Sequence, residues 1–260
     1  MASQLTVTVD WSSPPATLEL ARDEVHVWRA TLSADQTILR NFESTLAPDE
    51  KARAARFVFE NDRNRYIVAH GILRDLLSRY LRCAPEAIAF KNGPRGKPQV
   101  VGPDSESVIR FNLSHSHALA VVAVSKGREI GIDVELIRPE FASEGVAARY
   151  FSRREVAELR QLPKELRAEG FFLCWTRKEA YIKARGEGLH IRLDSFDVSL
   201  TPDKPATLSS ADESRWKIES FVPSRASEPR YVGAIVAEGK DWIAHYFEWN
   251  RRERKIIGGT

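Results

Sequence analysis

The stretch Ala118-Leu-Ala-Val-Val-Ala-Val-Ser-Lys-Gly-Arg-Glu-Ile-Gly-Ile-Asp-Val-Glu135 decides how the chain is read. Its apolar run, Ala118 to Val124, has the character of a strand. Lys126-Gly-Arg-Glu129 reads as a turn and Ile130 to Glu135 as the return, which together predict a β-hairpin. Side chains alternate along a strand, so Ile130, Ile132 and Val134 can face a core while Gly131, Asp133 and Glu135 share the other side. Two carboxylates then stand about 7 Å apart with nothing bulky between them.

A third carboxylate follows downstream in Trp175-Thr-Arg-Lys-Glu-Ala-Tyr-Ile-Lys183. This segment reads as a helix over 165–185 that stops near Gly186 and Gly188. Phe172, Trp175, Glu179 and Ile182 fall on one stripe of it, which predicts Glu179 on the apolar face. A buried carboxylate is costly unless it is paired, hydrogen-bonded or bound to a metal. Each piece also has an ordinary reading: Asp133 and Glu135 suit a solvated strand face, and Glu179 with Lys183 is an i,i+4 pair that supports a helix. Taken together, three hard oxygen ligands suit Mg²⁺, which takes a few carboxylates, waters and a substrate phosphate.

Bulk composition narrows the class. The chain has 260 residues, 43% hydrophobic and 29% charged, enough for one large domain or two modest ones with their own cores. No apolar run has the length of a membrane span and the first residues lack a signal-peptide pattern, so a cytoplasmic protein is expected. Cys83 and Cys174 stand alone, without metal or disulfide spacing, which agrees with a reducing compartment. The net charge of +3 is uneven: between Lys51 and Lys97 eleven Lys and Arg face four acids. Basic residues ahead of an acidic constellation suggest a polyanion that meets cations at one end and a metal at the other. Nucleic acid ranks lower, because no reading motif or basic arm is present and the net charge is small.

Residues 1–45 offer a strand at Val25 to Trp28 and little else. Ala47-Pro-Asp-Glu50 starts a helix carrying Arg53 and Arg56, and Tyr66, Ala69, Leu73, Leu76, Leu77 and Tyr80 place an amphipathic helix over 62–81. Arg63 and Arg65 stand at its start, where free N–H groups also favour an anion. Asn92-Gly-Pro-Arg-Gly-Lys-Pro98 is a turn-rich loop that suits a phosphate or a solvated hairpin tip. His115 and His117 could share a strand face, but no further His or Cys stands at ligand spacing. Ser152-Arg-Arg-Glu155 is a capping box. Strands follow at 196–200, 216–221, 231–236 and 242–247, and a polar tail closes the chain. Helices and strands mix without βαβ regularity, which makes the fold class α+β. A boundary near 125 divides an N-terminal part, 1–125, from a C-terminal part, 126–250, with 251–260 as tail.

Four ordered blocks, Gly96-Lys-Pro98, Phe111-Asn-Leu-Ser-His-Ser116, Gly131-Ile-Asp-Val-Glu135 and Trp175 to Lys183, make the chain resemble the 4′-phosphopantetheinyl transferases of the long, Sfp-type class. The resemblance runs from Leu46 to Phe247. It implies two similar α+β halves about a pseudo-twofold axis, a functional monomer, and coenzyme A with Mg²⁺ in the cleft between the halves. A serine of an apo acyl or peptidyl carrier protein would attack the pyrophosphate, and 3′,5′-ADP would leave. On this resemblance Asp133, Glu135 and Glu179 hold the metal, directly or through water, Glu179 or a metal-held water is the base, and Lys183 reaches the pyrophosphate. Lys97, Ser114 and His115 match coenzyme A-binding positions, and Arg53 and Arg65 are assigned to the 3′-phosphate. The basic segment departs from the pattern, with Ala52, Ala54 and Ala55 between its charges and Tyr66 where some members have a small polar residue. A Mg²⁺-dependent phosphohydrolase using the same acids and a non-catalytic coenzyme A-binding module stand as alternatives, and the carrier's pathway is open.

Overall fold

The computed structural model describes residues 9–93, 95–101, 108–188, 191–224 and 229–250. Strands β1 (Glu24–Thr31), β4 (Ile109–Ser116), β5 (Leu119–Lys126) and β11 (Ile243–Glu248) make one sheet in the order β11-β1-β5-β4. A second sheet has the order β6 (Ile130–Leu136), β10 (Tyr231–Glu238), β9 (Trp216–Phe221). All neighbours are antiparallel except β1 and β11, which run parallel and bring the end of the chain back into the first sheet.

The hairpin predicted across 118–135 is not formed. A strand has two edges, and those of β5 are taken by β1 and β4. The strand after the turn therefore has no place beside β5 and passes into the second sheet, with Gly127 at φ +74° in the turn. The tight hairpin is instead β4 with β5. Strand β6 pairs with β10, and its alternation is as predicted: Ile130, Ile132 and Val134 are fully buried in the layer between the sheets.

Each sheet carries a long helix on its outer face. Helix α3 (Glu60–Leu81) sets Ile67, Ile72 and Leu76 against Trp28, Val122 and Val124. Helix α6 (Arg167–Arg185) sets Leu173, Tyr181 and Ala184 against Val232, Ala234 and Val236. The result is two α+β halves of similar build, helix on sheet, packed sheet to sheet. Each fully buried aliphatic side chain in these layers contributes about 1.5–3 kcal/mol. Around them stand α1 (Gln36–Thr45), capped by Asp35 and unforeseen in the sequence, α2 (Pro48–Ala54), α4 (Glu144–Tyr150), α5 (Arg153–Gln161), the hairpin β2 (Ala89–Asn92) with β3 (Pro98–Val101), and the short pair β7 (Asp197–Val198) with β8 (Leu208–Ser209). Asn92 to Pro98 is thus a hairpin tip. The capping box forms as predicted, with Ser152 and Glu155 exchanging backbone bonds at the start of α5.

Helix α6 departs from an amphipathic pattern, being buried on almost every side. Its least covered line is Trp175, Glu179 and Lys183, spaced i, i+4, i+8. Glu179 therefore lies on the open line of the helix, not on an apolar face as the stripe suggested. The polar tail 251–260 lies outside the described residues. Among the described residues no helix is long and apolar enough to cross a membrane.

Candidate active site

The site forms where β4 and β6, edge strands of the two sheets, lie side by side. No backbone ladder joins them among the described residues; side chains of β4 bridge the gap instead. Asn112 Oδ1 accepts from the backbone N–H of Ile132 at 2.9 Å, and Ser116 Oγ accepts from that of Leu136 at 3.2 Å. Ser114 Oγ donates to Asp133 Oδ1 at 2.8 Å, and Ser116 Oγ donates to Glu135 Oε2 at 2.7 Å. The alternation Asn112, Ser114, Ser116 explains the block: every second residue of β4 faces β6. Asn112 and Ser116 were not singled out in the sequence, though this period-2 polar pattern beside Asp133 and Glu135 is the signal that marks them.

Helix α6 reaches the same acids because Gly131 has no side chain. A Cβ there would collide with the Ala180 carbonyl oxygen and the Ala184 amide nitrogen. This close approach brings Lys183 Nζ to 2.7 Å from Asp133 Oδ1, 3.1 Å from Ser114 Oγ and 3.3 Å from the Ile132 carbonyl. Lys183 thus turns to Asp133. The Glu179 to Lys183 helix pair considered in the sequence is not formed within ion-pair distance among the described residues.

The three acids differ in their surroundings. Asp133 is 4% exposed, and its second oxygen, Oδ2, is buried without a hydrogen-bond partner among the described residues. Burial raises the Glu179 pKa, and the charges of Asp133 and Glu135 add to the rise against Lys183. Burial also raises that of Glu135, as does Asp133, while the Ser116 bond, Arg138 and Lys183 oppose. Among the described residues no three His, Cys, Asp or Glu side chains are gathered tightly enough to make a finished cation cage. One reason is visible: Lys183 and Ser114 occupy Asp133 Oδ1. The residues nevertheless fit a hard cation, since an orphaned carboxylate oxygen and two carboxylates with raised pKa values all gain from added positive charge.

The other predicted residues fall in different places. His115 is exposed on β4, opposite in alternation to Ser114 and Ser116. Desolvation lowers its pKa, helped by the charges of His70, Lys183 and Arg65 and opposed by Asp62. Arg65 is half-buried on α3 and Arg53 is exposed on α2. The Arg53 guanidinium lies 5.7 Å from the Tyr66 ring, which itself lies 4.0 Å from the His70 ring at a tilt of 31°. Tyr66, a departure in the sequence, is thus what seats Arg53. His70 was missed entirely; its Nδ1 is 2.8 Å from Glu50 Oε1, a carboxylate that also pairs with the fully buried Arg74.

Lys97 is placed otherwise than expected. Its ammonium gives all three protons to the protein: to Glu129 at 2.9 Å, to the Ile130 carbonyl at 2.9 Å and to the Ala184 carbonyl at 3.2 Å. It straps the β2–β3 loop to the start of β6 and the end of α6. The structure does not bring it to the cleft with a free charge.

Comparison with known proteins places the chain in a family. Residues 129–236 match the 4′-phosphopantetheinyl transferase superfamily, and residues 28–127 match the family described as 4′-phosphopantetheinyl transferase, N-terminal. The chain is 40% identical over 239 residues to the 4′-phosphopantetheinyl transferase HetI of Nostoc sp. (strain PCC 7120), covering 92% of this chain and 98% of that one. It is 29% identical to the 4′-phosphopantetheinyl transferase Sfp of Bacillus subtilis (strain 168), covering 77% and 86%. Among solved structures, a holo-(acyl-carrier-protein) synthase from Bacillus anthracis matches with a TM-score of 0.35 and 19% identity, over 42% of this chain and 94% of that one.

Proposed function

This chain belongs to the 4′-phosphopantetheinyl transferase superfamily, and we propose that it moves the phosphopantetheine arm of coenzyme A to a serine of an apo carrier protein, releasing 3′,5′-ADP. The observation that carries the reading is the cluster at the β4–β6 seam: Asp133, Glu135 and Glu179 near Lys183, with a buried Asp133 oxygen that has no donor among the described residues. Asp133, Glu135 and Glu179 are the residues that would hold Mg²⁺. When bound, such an ion neutralises pyrophosphate charge and orients the phosphorus for in-line attack.

The chain's own residues supply the rest. Lys183 brings a fixed positive charge to the place where negative charge develops on the leaving bisphosphate. Ser114 and the Ile132 carbonyl hold that ammonium in position. Glu179, or a water held by the metal, would accept the serine proton. His115, exposed on β4, is assigned to coenzyme A. Arg53 and Arg65 are assigned to its 3′-phosphate. The two halves that form the cleft belong to one chain, which supports a monomer, and the lone cysteines support a cytoplasmic setting.

The test is incubation with coenzyme A, Mg²⁺ and a panel of apo carriers from fatty-acid, polyketide and nonribosomal-peptide systems. A carrier mass shift by one phosphopantetheine, with 3′,5′-ADP released only when carrier is present, is the expected result. Cleavage of coenzyme A without any carrier would identify a phosphohydrolase instead.

A further inference from the structure

The two sheets have another pair of neighbouring edges, β9 and β11, across the sandwich from the acid cluster. Between them lies a cavity of about 540 Å³, a size that suits a small-molecule ligand. Trp242 and Tyr246 form part of its apolar wall, Lys217 and Glu219 come from β9, and Lys204 stands on a connecting loop. Arg177 enters from α6. It stands two positions before Glu179, which sets the two side chains roughly 160° apart about the helix axis.

Arg177 is the unusual member. It is 2% exposed, and its Nε donates to Ser220 Oγ at 2.8 Å. Nη1 donates to the carbonyl and hydroxyl oxygens of Ser199, at 2.6 and 3.1 Å. Among the described residues, Nη2 has no hydrogen-bond partner, and no carboxylate lies within ion-pair distance of the group. Other buried cations of the protein do have one: Arg74 has Glu50 and Lys178 has Glu155. Lys217 is answered by Glu219 at 2.8 Å, which leaves Arg177 and Lys204 as the charges that face the cavity without a carboxylate of their own. Burial pushes the Arg177 pKa down to about 10. A buried guanidinium with spare donors on the wall of an apolar cavity lacks an anion.

We propose that this cavity is a second binding site, for an amphipathic carboxylate, with the carboxylate on Arg177 Nη2 and Lys204 and the apolar body against Trp242 and Tyr246. The planar guanidinium matches a carboxylate in geometry as well as charge. Nothing in this assignment depends on the transfer reaction, since the cavity and the acid cluster lie on opposite sides of α6.

Calorimetric titration of the full-length protein with octanoate tests it, with octanol as the uncharged control. One octanoate should bind per chain with a dissociation constant on the order of 0.1 mM, and octanol at least about ten-fold more weakly. Arg177→Met and the exposed-site variant Lys204→Glu should each weaken octanoate by about ten-fold or more, whereas Lys183→Ala should leave it unchanged. The Lys204 variant keeps the test decisive if Arg177→Met does not fold. Equal binding of octanol, no octanoate binding at millimolar concentration, or loss of binding in Lys183→Ala would each overturn the proposal.

Discussion

Glu155 and Glu179 are both carboxylates tied to α6, and the protein treats them in opposite ways. Glu155 is 1% exposed and saturated with donors: the Ser152 and Val198 amides and Lys178 Nζ, each at 2.8 Å. Lys178 is fully buried too, and gives its remaining protons to the Leu193 and Phe196 carbonyls at 2.7 and 2.6 Å. Glu179, the next residue along the helix, accepts no hydrogen bond among the described residues and sits among like charges. Burial alone therefore does not separate the two; the supply of donors does. A charge kept for structure is surrounded by partners, while a charge kept for chemistry is left short of them until a ligand arrives.

The largest effect expected on this contrast comes from Glu179→Gln. The change keeps the shape and removes the charge, so transfer should fall by about a thousand-fold or more, as loss of a base or metal ligand does. Its thermal midpoint should hold or rise, because one of three crowded acids is gone. Folded Glu179→Gln that still modifies an apo carrier at a near-normal rate, followed by mass spectrometry, would sink the assignment. Glu155→Gln is the mirror experiment. It strands Lys178 without a counter-charge, which should cost about 3–5 kcal/mol of stability in urea titration. Transfer per folded molecule should change little. If that variant instead keeps its stability and loses activity, the comparison is broken.

The sequence carried α2, α3, the capping box and the facing of β6 because each rests on local chemistry: a proline at a first helical position, spacing of three and four, a serine and glutamate three apart, and alternation. It also carried the three acids, since their residue types and strand and helix settings are local facts. What it could not carry was non-local. The 118–135 hairpin was misread because nothing near β5 shows that β1, some ninety residues earlier, already holds its free edge. The Glu179 stripe was misread because α6 is covered on both sides, which erases the periodicity on which the reading depended. Lys97 looked like a free cation in a glycine-rich loop, and only the folded chain brings Glu129 and the Ala184 carbonyl to it.

A third, smaller effect extends the comparison to pH. His26 on β1 is 3% exposed, with Nδ1 2.8 Å from the Tyr80 hydroxyl, and burial lowers its pKa to about 4 although Glu24 pulls the other way. An unfolded histidine titrates near 6.5. Between those values the unfolded chain holds a proton that the native protein does not, so stability falls as pH drops through the window. The loss from this residue should approach about 3 kcal/mol by pH 4. Urea midpoints of wild type and His26→Gln at pH 7 and 4.5 isolate it, because the acid cluster is common to both proteins. An equal acid loss in the two would show that His26 is not the group responsible.

The smallest effect expected is the one that separates support from contact at the site itself. Ser114 Oγ donates to Asp133 Oδ1 and accepts from Lys183 Nζ, so its hydroxyl links two groups to which the proposed reaction gives roles. In Ser114→Ala that link is lost, and Asp133, already with one orphaned oxygen, has Lys183 as its remaining side-chain donor. Stability should drop by about 1 kcal/mol, and kcat by about ten-fold, with the KM for coenzyme A nearly unchanged, because an ordering bond and not a substrate contact has been removed. A rise in that KM at constant kcat would place the hydroxyl on coenzyme A instead. Asp133 would still keep the Lys183 ammonium in the free enzyme, whereas Glu179 accepts no hydrogen bond among the described residues.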